Sequence, residues 1–152
     1  MNVTRRTFLI HSVSIASATA MLTVAPSVLA DDWNRQAFTD KVLNDAMKDA
    51  GYGNAVKSTD ILLKTQDIAE NGAVVPIEAT SNIPGTTSLA IFIDNNPNPL
   101  IAEFSFMNGA EPFVVTRVKM AKTSLVRIAV KAGGKTYFTG KSVKVTSGGC
   151  GG

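Results

Sequence analysis

The sequence predicts an all-β protein: an immunoglobulin-like β-sandwich with an N-terminal helical extension and a flexible C-terminal arm. Three observations predict it. Seven short runs, rich in β-branched and aromatic residues, lie between Val74 and Thr146 with strong turn signals between them. An apolar pattern of helical spacing precedes them. The last six residues, Ser147-Gly148-Gly149-Cys150-Gly151-Gly152, offer no bulky side chain to pack.

In chain order, Thr4-Arg5-Arg6-Thr7-Phe8-Leu9-Ile10 is a twin-arginine pattern of the kind that opens a bacterial export signal. The apolar stretch from Phe8 to Ala25 is interrupted by His11 and several Ser and Thr, too polar for a comfortable transmembrane helix. Val28-Leu29-Ala30 places small residues where a signal peptidase reads, so cleavage after Ala30 is expected. The expected division is 1–30 signal peptide, 31–146 helix plus sandwich, and 147–152 arm. The mature protein is expected in the periplasm without a membrane anchor. There a single cysteine cannot close an internal disulfide.

Loss of the signal removes His11, Arg5 and Arg6, so the net charge falls from +3 by two units to about +1. The remaining 122 residues hold no histidine and no cysteine except Cys150. A His-based triad, a Cys–His pair, a zinc site, a c-type haem and an iron–sulfur cluster are excluded for want of ligands. No D-x-D-x-D-G loop and no Gly-rich strand-to-helix phosphate loop is present, and no cofactor is expected. The twin-arginine route carries folded proteins, often because they hold a cofactor. Without a cofactor site, assembly with a co-exported partner is the other reason to fold first.

The mature chain opens with a predicted helix. Asp31 or Asp32 can cap it, Trp33, Ala37, Phe38, Val42, Ala46, Met47 and Ala50 recur at helical spacing, and Gly51 stops it. Trp33 and Phe38 are read as packing residues. Tyr52-Gly53-Asn54 is a loop. Residues 60–69 are ambiguous between a short strand and an extended segment on the core. The predicted strands are Val74–Thr80, Ser88–Asp94, Ile101–Phe106, Phe113–Lys119, Ser124–Val130, Lys135–Thr139 and Ser142–Thr146. Their separators include Pro84-Gly85, Asn95-Asn96-Pro97-Asn98-Pro99, Asn108-Gly109 and Gly133-Gly134. Val126, Ile128 and Val130 alternate with Arg127, Ala129 and Lys131, as a strand with two unlike faces requires.

Charge is segregated. Residues 71–112 hold four acids and no base, whereas 113–152 hold eight bases and no acid. Either the basic block guides anionic cargo or acidic partners toward the tail, with Lys141 and Lys144 nearest, or the strands pair it with the acidic middle. A nucleic-acid role is disfavoured by near-neutral mature charge and the export signal.

Cys150 is the chemical centre of this reading. Glycines on both sides remove bulk beside the sulfur, and four extended residues beyond Thr146 carry it about 13 Å from the body. No Lys, Arg or His adjoins it, and the nearby carboxylate disfavours a thiolate. Such a thiol is an attachment point, activated inside another protein's pocket. This argues for a carrier acting as a substrate of partner enzymes, with no catalytic residues of its own. Gly148, Gly149, Gly151 and Gly152 supply the flexibility.

The terminal Gly-Gly-Cys-Gly-Gly after Val143-Lys144-Val145-Thr146 resembles the carboxy-terminal signature of the SoxY family, sulfur carriers of periplasmic thiosulfate oxidation. Ile68-Ala69-Glu70-Asn71-Gly72 followed by Val75-Pro76-Ile77, then Asn95-Asn96-Pro97-Asn98-Pro99, Thr116-Arg117-Val118 and the twin-arginine leader agree with it. The resemblance implies an immunoglobulin-like domain paired with a SoxZ subunit and intermediates held covalently on Cys150. It also implies three enzymes that act on them: a haem sulfurtransferase, a manganese hydrolase that releases sulfate, and, where present, a sulfane dehydrogenase. Two other classes compete. A ubiquitin-like carrier would bear a thiocarboxylate on Gly152, and an exported structural module would dimerise through a Cys150 disulfide.

Overall fold

The computed structural model describes residues 34–146. The signal peptide expected over 1–30, Asp31, Asp32, Trp33 and the expected arm 147–152 lie outside the described residues.

Where one helix is predicted, the chain forms two: α1 (Arg35–Thr39) and α2 (Leu43–Asp49). Asp40 (φ −57°, ψ 140°) and Val42 (φ −109°, ψ 128°) are extended and break the run. Tertiary bonds hold the break open: Asn98 Nδ2 donates to Phe38 O at 2.7 Å, and Lys41 Nζ donates to Asn98 Oδ1 at 2.7 Å. Among the described residues the cap of α1 is Asn34. Its Oδ1 accepts from Ala37 N, while its Nδ2 donates to Asp49 O at 2.6 Å and clamps the end of α2. Gly51 (φ +79°) ends α2 as predicted. No helix among the described residues is long and apolar enough to cross a membrane.

Nine strands follow: β1 (Val56–Lys57), β2 (Ile61–Lys64), β3 (Ile68–Ala69), β4 (Val75–Ser81), β5 (Thr86–Ile93), β6 (Leu100–Ser105), β7 (Phe113–Val118), β8 (Ser124–Ala132) and β9 (Lys135–Val145). One sheet runs β1-β9-β8-β5-β6, with β3 also on β9; the other runs β2-β4-β7. This is the immunoglobulin-like sandwich. The ambiguous 60–69 segment resolves into a crossing. β2 pairs antiparallel with β4 in the small sheet, whereas β1 and β3 lie parallel on β9 in the large one. The two predicted final strands are one. Gly140 does not interrupt β9, because β8 pairs with it continuously from Ala132↔Lys135 to Ser124↔Val143. Gly133 (φ +55°) and Gly134 (φ +74°) form the turn between these strands, in the left-handed conformation a two-residue hairpin demands.

The main core lies between the sheets. Leu89, Ile91 and Ile93 from β5 meet Val126, Ile128 and Val130 from β8 and Val75, Ile77 and Ala79 from β4. The other face of the large sheet is covered as well. Ala90, Phe92, Leu100 and Ala129 form a second core with Ala37, Ala46, Ala50 and Tyr52. Small residues at the helix positions let two short helices sit close to the sheet.

The charged residues of this second face are paired, as the strand-pairing alternative required. Arg127 makes a bidentate bridge to Asp94 at 2.8 Å and lies 5.6 Å from the Phe138 ring centroid. Lys131 bridges Glu103 at 3.2 Å and sits 4.3 Å over the Tyr52 ring. Tyr52, fully buried, donates its hydroxyl to Glu103 at 2.8 Å and must therefore accept from Ser88, 2.9 Å away. Burial, the leading cause, pushes the Tyr52 hydroxyl well above its ordinary range. The folded state thus keeps this proton above pH 10, where the unfolded chain loses it. Stability from this group is complete below about pH 10 and falls as pH rises further. Tyr52→Phe is expected to cost about 1–3 kcal/mol at neutral pH, by leaving Ser88 and Glu103 short of a partner. It should also flatten the alkaline decline. Urea melts at pH 7 and pH 10.5 check both.

Candidate functional site

The arm leaves the body from the end of β9, and that end is held on both sides. Along one edge Val145 pairs with Ala69, Thr146 N donates to Ala69 O at 3.0 Å, and Lys144 N donates to Asp67 O at 2.9 Å. From the other side Val145 N donates to Thr123 Oγ1 at 3.0 Å, and the same hydroxyl donates back to Val145 O at 3.4 Å. The ordered ladder reaches Thr146, one residue before the glycine-rich tail begins. The root is therefore a fixed point on a rigid sheet. Cys150, Gly148, Gly149, Gly151 and Gly152 lie outside the described residues.

Three loops frame this root. Residues 67–72 follow β3's edge, and Gly72 O accepts from Met120 N at 2.7 Å. Residues 119–123 are tied to the asparagine loop: Asn96 Nδ2 donates to Lys119 O and Asn96 Oδ1 accepts from Ala121 N, at 2.7 and 2.9 Å. Asn95 adds a bond to Thr123 O at 3.0 Å. The Asn95–Pro99 run, read from sequence as a separator, thus braces the loop that grips β9.

The two predicted steering lysines have different surroundings. Lys141 Nζ donates to Thr65 O at 2.7 Å and sits 3.0 Å from Asp67 Oδ1, so its charge is offset locally. Lys144 is exposed and makes no ion pair among the described residues. Sequence reasoning missed Thr123, Ala69 and Asp67 as anchors. A threonine in a polar loop gives no local sign that it will meet a strand twenty-two residues on.

A groove of about 740 Å³ lies elsewhere, between α2 and the β8–β9 hairpin, beside Met47, Lys48, Asn54, Lys135 and Tyr137. β9 begins there, and its eleven residues place the arm root about 33 Å away. No cluster of three or more His, Cys, Asp or Glu that could hold a metal occurs among the described residues.

A closed sandwich whose strand β9 is anchored up to Thr146, four residues before a glycine-flanked thiol in the sequence, has the layout of a carrier. The family model described as sulfur oxidation protein SoxY matches residues 47–150, from within α2 to Cys150 itself. The chain belongs to the SoxY family of sulfur carriers. It is similar to the solved sulfur carrier protein SoxY from Chlorobium limicola f thiosulfatophilum, with 40% identity and a TM-score of 0.60, over 68% of this chain and 96% of that one. A superoxide reductase (neelaredoxin) from Ignicoccus hospitalis aligns over 68% of this chain and 92% of its own, at 14% identity and a TM-score of 0.50. That likeness concerns the fold alone. No curated protein matches the chain.

Proposed function

We propose that the protein carries thiosulfate-derived intermediates covalently on Cys150 and presents them to partner enzymes in the periplasm, after export by the twin-arginine route. The observation that carries this reading is the anchoring of β9 through Thr146, immediately before Ser147-Gly148-Gly149-Cys150-Gly151-Gly152. A rigid root ahead of a glycine-rich sequence suits one thiol to several narrow pockets while the body stays intact.

The chemistry balances with a haem sulfurtransferase as electron acceptor. The Cys150 thiol and thiosulfate form an S–S bond, release one proton and pass two electrons to the haem enzyme, leaving a cysteine S-thiosulfonate. A manganese hydrolase then adds water across the terminal S–S bond. Sulfate leaves with one proton, and the other hydrogen of the water stays on the persulfide (–S–SH) left on Cys150. A sulfane dehydrogenase oxidises that persulfide where the organism has one. All catalytic groups in this scheme belong to the partners.

A SoxZ-like subunit completes the proposal. What supports a permanent partner is the outer face of the small sheet. Leu62, Phe113 and Val115, on β2 and β7, are 47%, 48% and 66% exposed there. Lone exposed apolar residues are ordinary, but three on one small sheet beside the free edge of β7 form a surface that a stable subunit would cover.

Intact mass spectrometry of the protein after thiosulfate exposure with its partner enzymes tests the reading. A thiosulfonate adduct mapped to Cys150 supports it. A thiocarboxylate on Gly152, or a Cys150 disulfide dimer as the sole product, would overturn it. Within this reading, Gly149→Val with Gly151→Val is expected to slow cargo transfer at least tenfold without moving Tm. β-Branched bulk on both sides of the sulfur obstructs insertion. Unchanged transfer would mean that the glycines serve only as a tether.

A further inference from the structure

The strand-pairing of charges leaves a remainder of unbridged cations among the described residues, and three of them border the arm root. Arg127, Lys131, Lys141 and Lys64 are each bridged to an acid. Lys119, Lys122 and Lys144 are exposed and have no such bridge among the described residues. All three border the arm root. Lys144 is two residues before Thr146. Lys122 adjoins Thr123, whose hydroxyl holds Val145. Lys119 adjoins Met120, tied to Gly72, and Gly72 closes the loop that begins at Ala69, the partner of Thr146. Three acids lie in the loops around the root. Asp67 is bridged to Lys141, Asp94 is bridged to Arg127, and only Glu70 is unbridged among the described residues. The root thus carries a cationic excess.

We infer that Lys119, Lys122 and Lys144 form a docking collar for an acidic rim around the arm-receiving pocket of a partner enzyme. The inference rests on the carrier reading above and adds the surface and the chemistry of its counterpart. Arm length makes contact unavoidable. The sulfur travels only about 13 Å from Thr146, so a pocket that engulfs it brings its rim against these loops. At contact, charges lie within the screening length, about 8 Å at physiological ionic strength. Cations at the hairpin end, about 33 Å away along β9, are screened out. The same geometry selects the rim over the cargo as the counter-charge. With the arm extended into a pocket, the anionic cargo lies a full arm length beyond the collar.

The test compares two triple variants that lose the same charge. One is Lys119→Gln, Lys122→Gln, Lys144→Gln. The other is Lys48→Gln, Lys57→Gln, Lys135→Gln, all exposed and removed from the root. The rate of thiosulfate loading onto Cys150 by its cognate haem enzyme is measured by intact mass near 10 mM and near 1 M salt. The collar variant is expected to load about tenfold more slowly in low salt. Its deficit should vanish near 1 M, where the screening length is about 3 Å. The distal variant should stay within about twofold of the wild type. Reaction of Cys150 with a dianionic aromatic disulfide, without enzyme, should be equally fast in all three proteins. Equal slowing by both variants, or no slowing by the collar variant, would overturn the collar. So would a deficit of the same size in the enzyme-free reaction, which would place the lysines' effect on anions at the thiol. Absence of any loading of the wild type would overturn the carrier reading and the collar with it.

Discussion

Cys150→Ser is expected to abolish thiosulfate-dependent turnover in the reconstituted pathway and to leave Tm within about 1 °C of the parent. The expected loss is complete, because serine's hydroxyl can neither form the S–S bond nor leave as a stabilised anion under these conditions. No other cysteine or histidine in residues 31–152 can substitute. The expected neutrality in stability follows from position. Among the described residues the last backbone bond to the body is made by Thr146, and substitutions away from packed or capped sites stay within about 0.5 kcal/mol. Steady-state turnover beside a thermal melt checks both halves. Retained turnover would remove the carrier assignment. A large drop in Tm would instead mean that the cysteine packs against the body.

The second large effect lies in the fold, at Phe92. This residue is fully buried on β5, an interior strand of the large sheet between β8 and β6, on the face that receives the helical extension. Its ring meets Tyr52 edge to face at 5.9 Å between centroids and 77° between planes. Phe92→Ala is expected to cost about 3–5 kcal/mol, from lost transfer energy and the cavity left between helices and sheet. Against a total stability of roughly 5–15 kcal/mol, that is a large share. For a domain of this size it corresponds to a Tm fall of roughly 10–20 °C. Phe92→Leu, which keeps most of the volume, should cost appreciably less. Amide exchange should show α1 and α2 opening first, because Asn98, Asn34 and this apolar contact hold them in place. Loading of Cys150 at a temperature well below the melt should persist. The helices and the arm root occupy different parts of the large sheet.

Much of this fold was legible along the chain. β-Branched runs, Asn-Gly and Gly-Gly turns and the alternation in Val126–Lys131 marked the later strands, since side-chain period and turn chemistry are local properties. The thiol-bearing tail lies outside the described residues, and its reading rests on composition alone, since glycines offer no side chain to pack. The helical extension was misread as continuous because its break is imposed from outside, by Asn98 reaching Phe38 across sixty residues. Gly140 was misread as an interruption because its extended state depends on the β8 strand beside it.

The sequence by itself determined the available chemistry: one thiol, no histidine in residues 31–152, glycines on both sides of the sulfur, and a sandwich behind it. Only the tertiary structure decided which charges are left over. Lys141 and Lys144 are three residues apart on one strand, yet one is bridged to Asp67 and the other is not. Lys119 and Lys122 come to the arm root through Met120, Gly72 and Thr123, on loops distant in sequence from Thr146. An ion pair depends on distance in space, and a strand that crosses between sheets and returns sets those distances by pairing register, which no local pattern encodes.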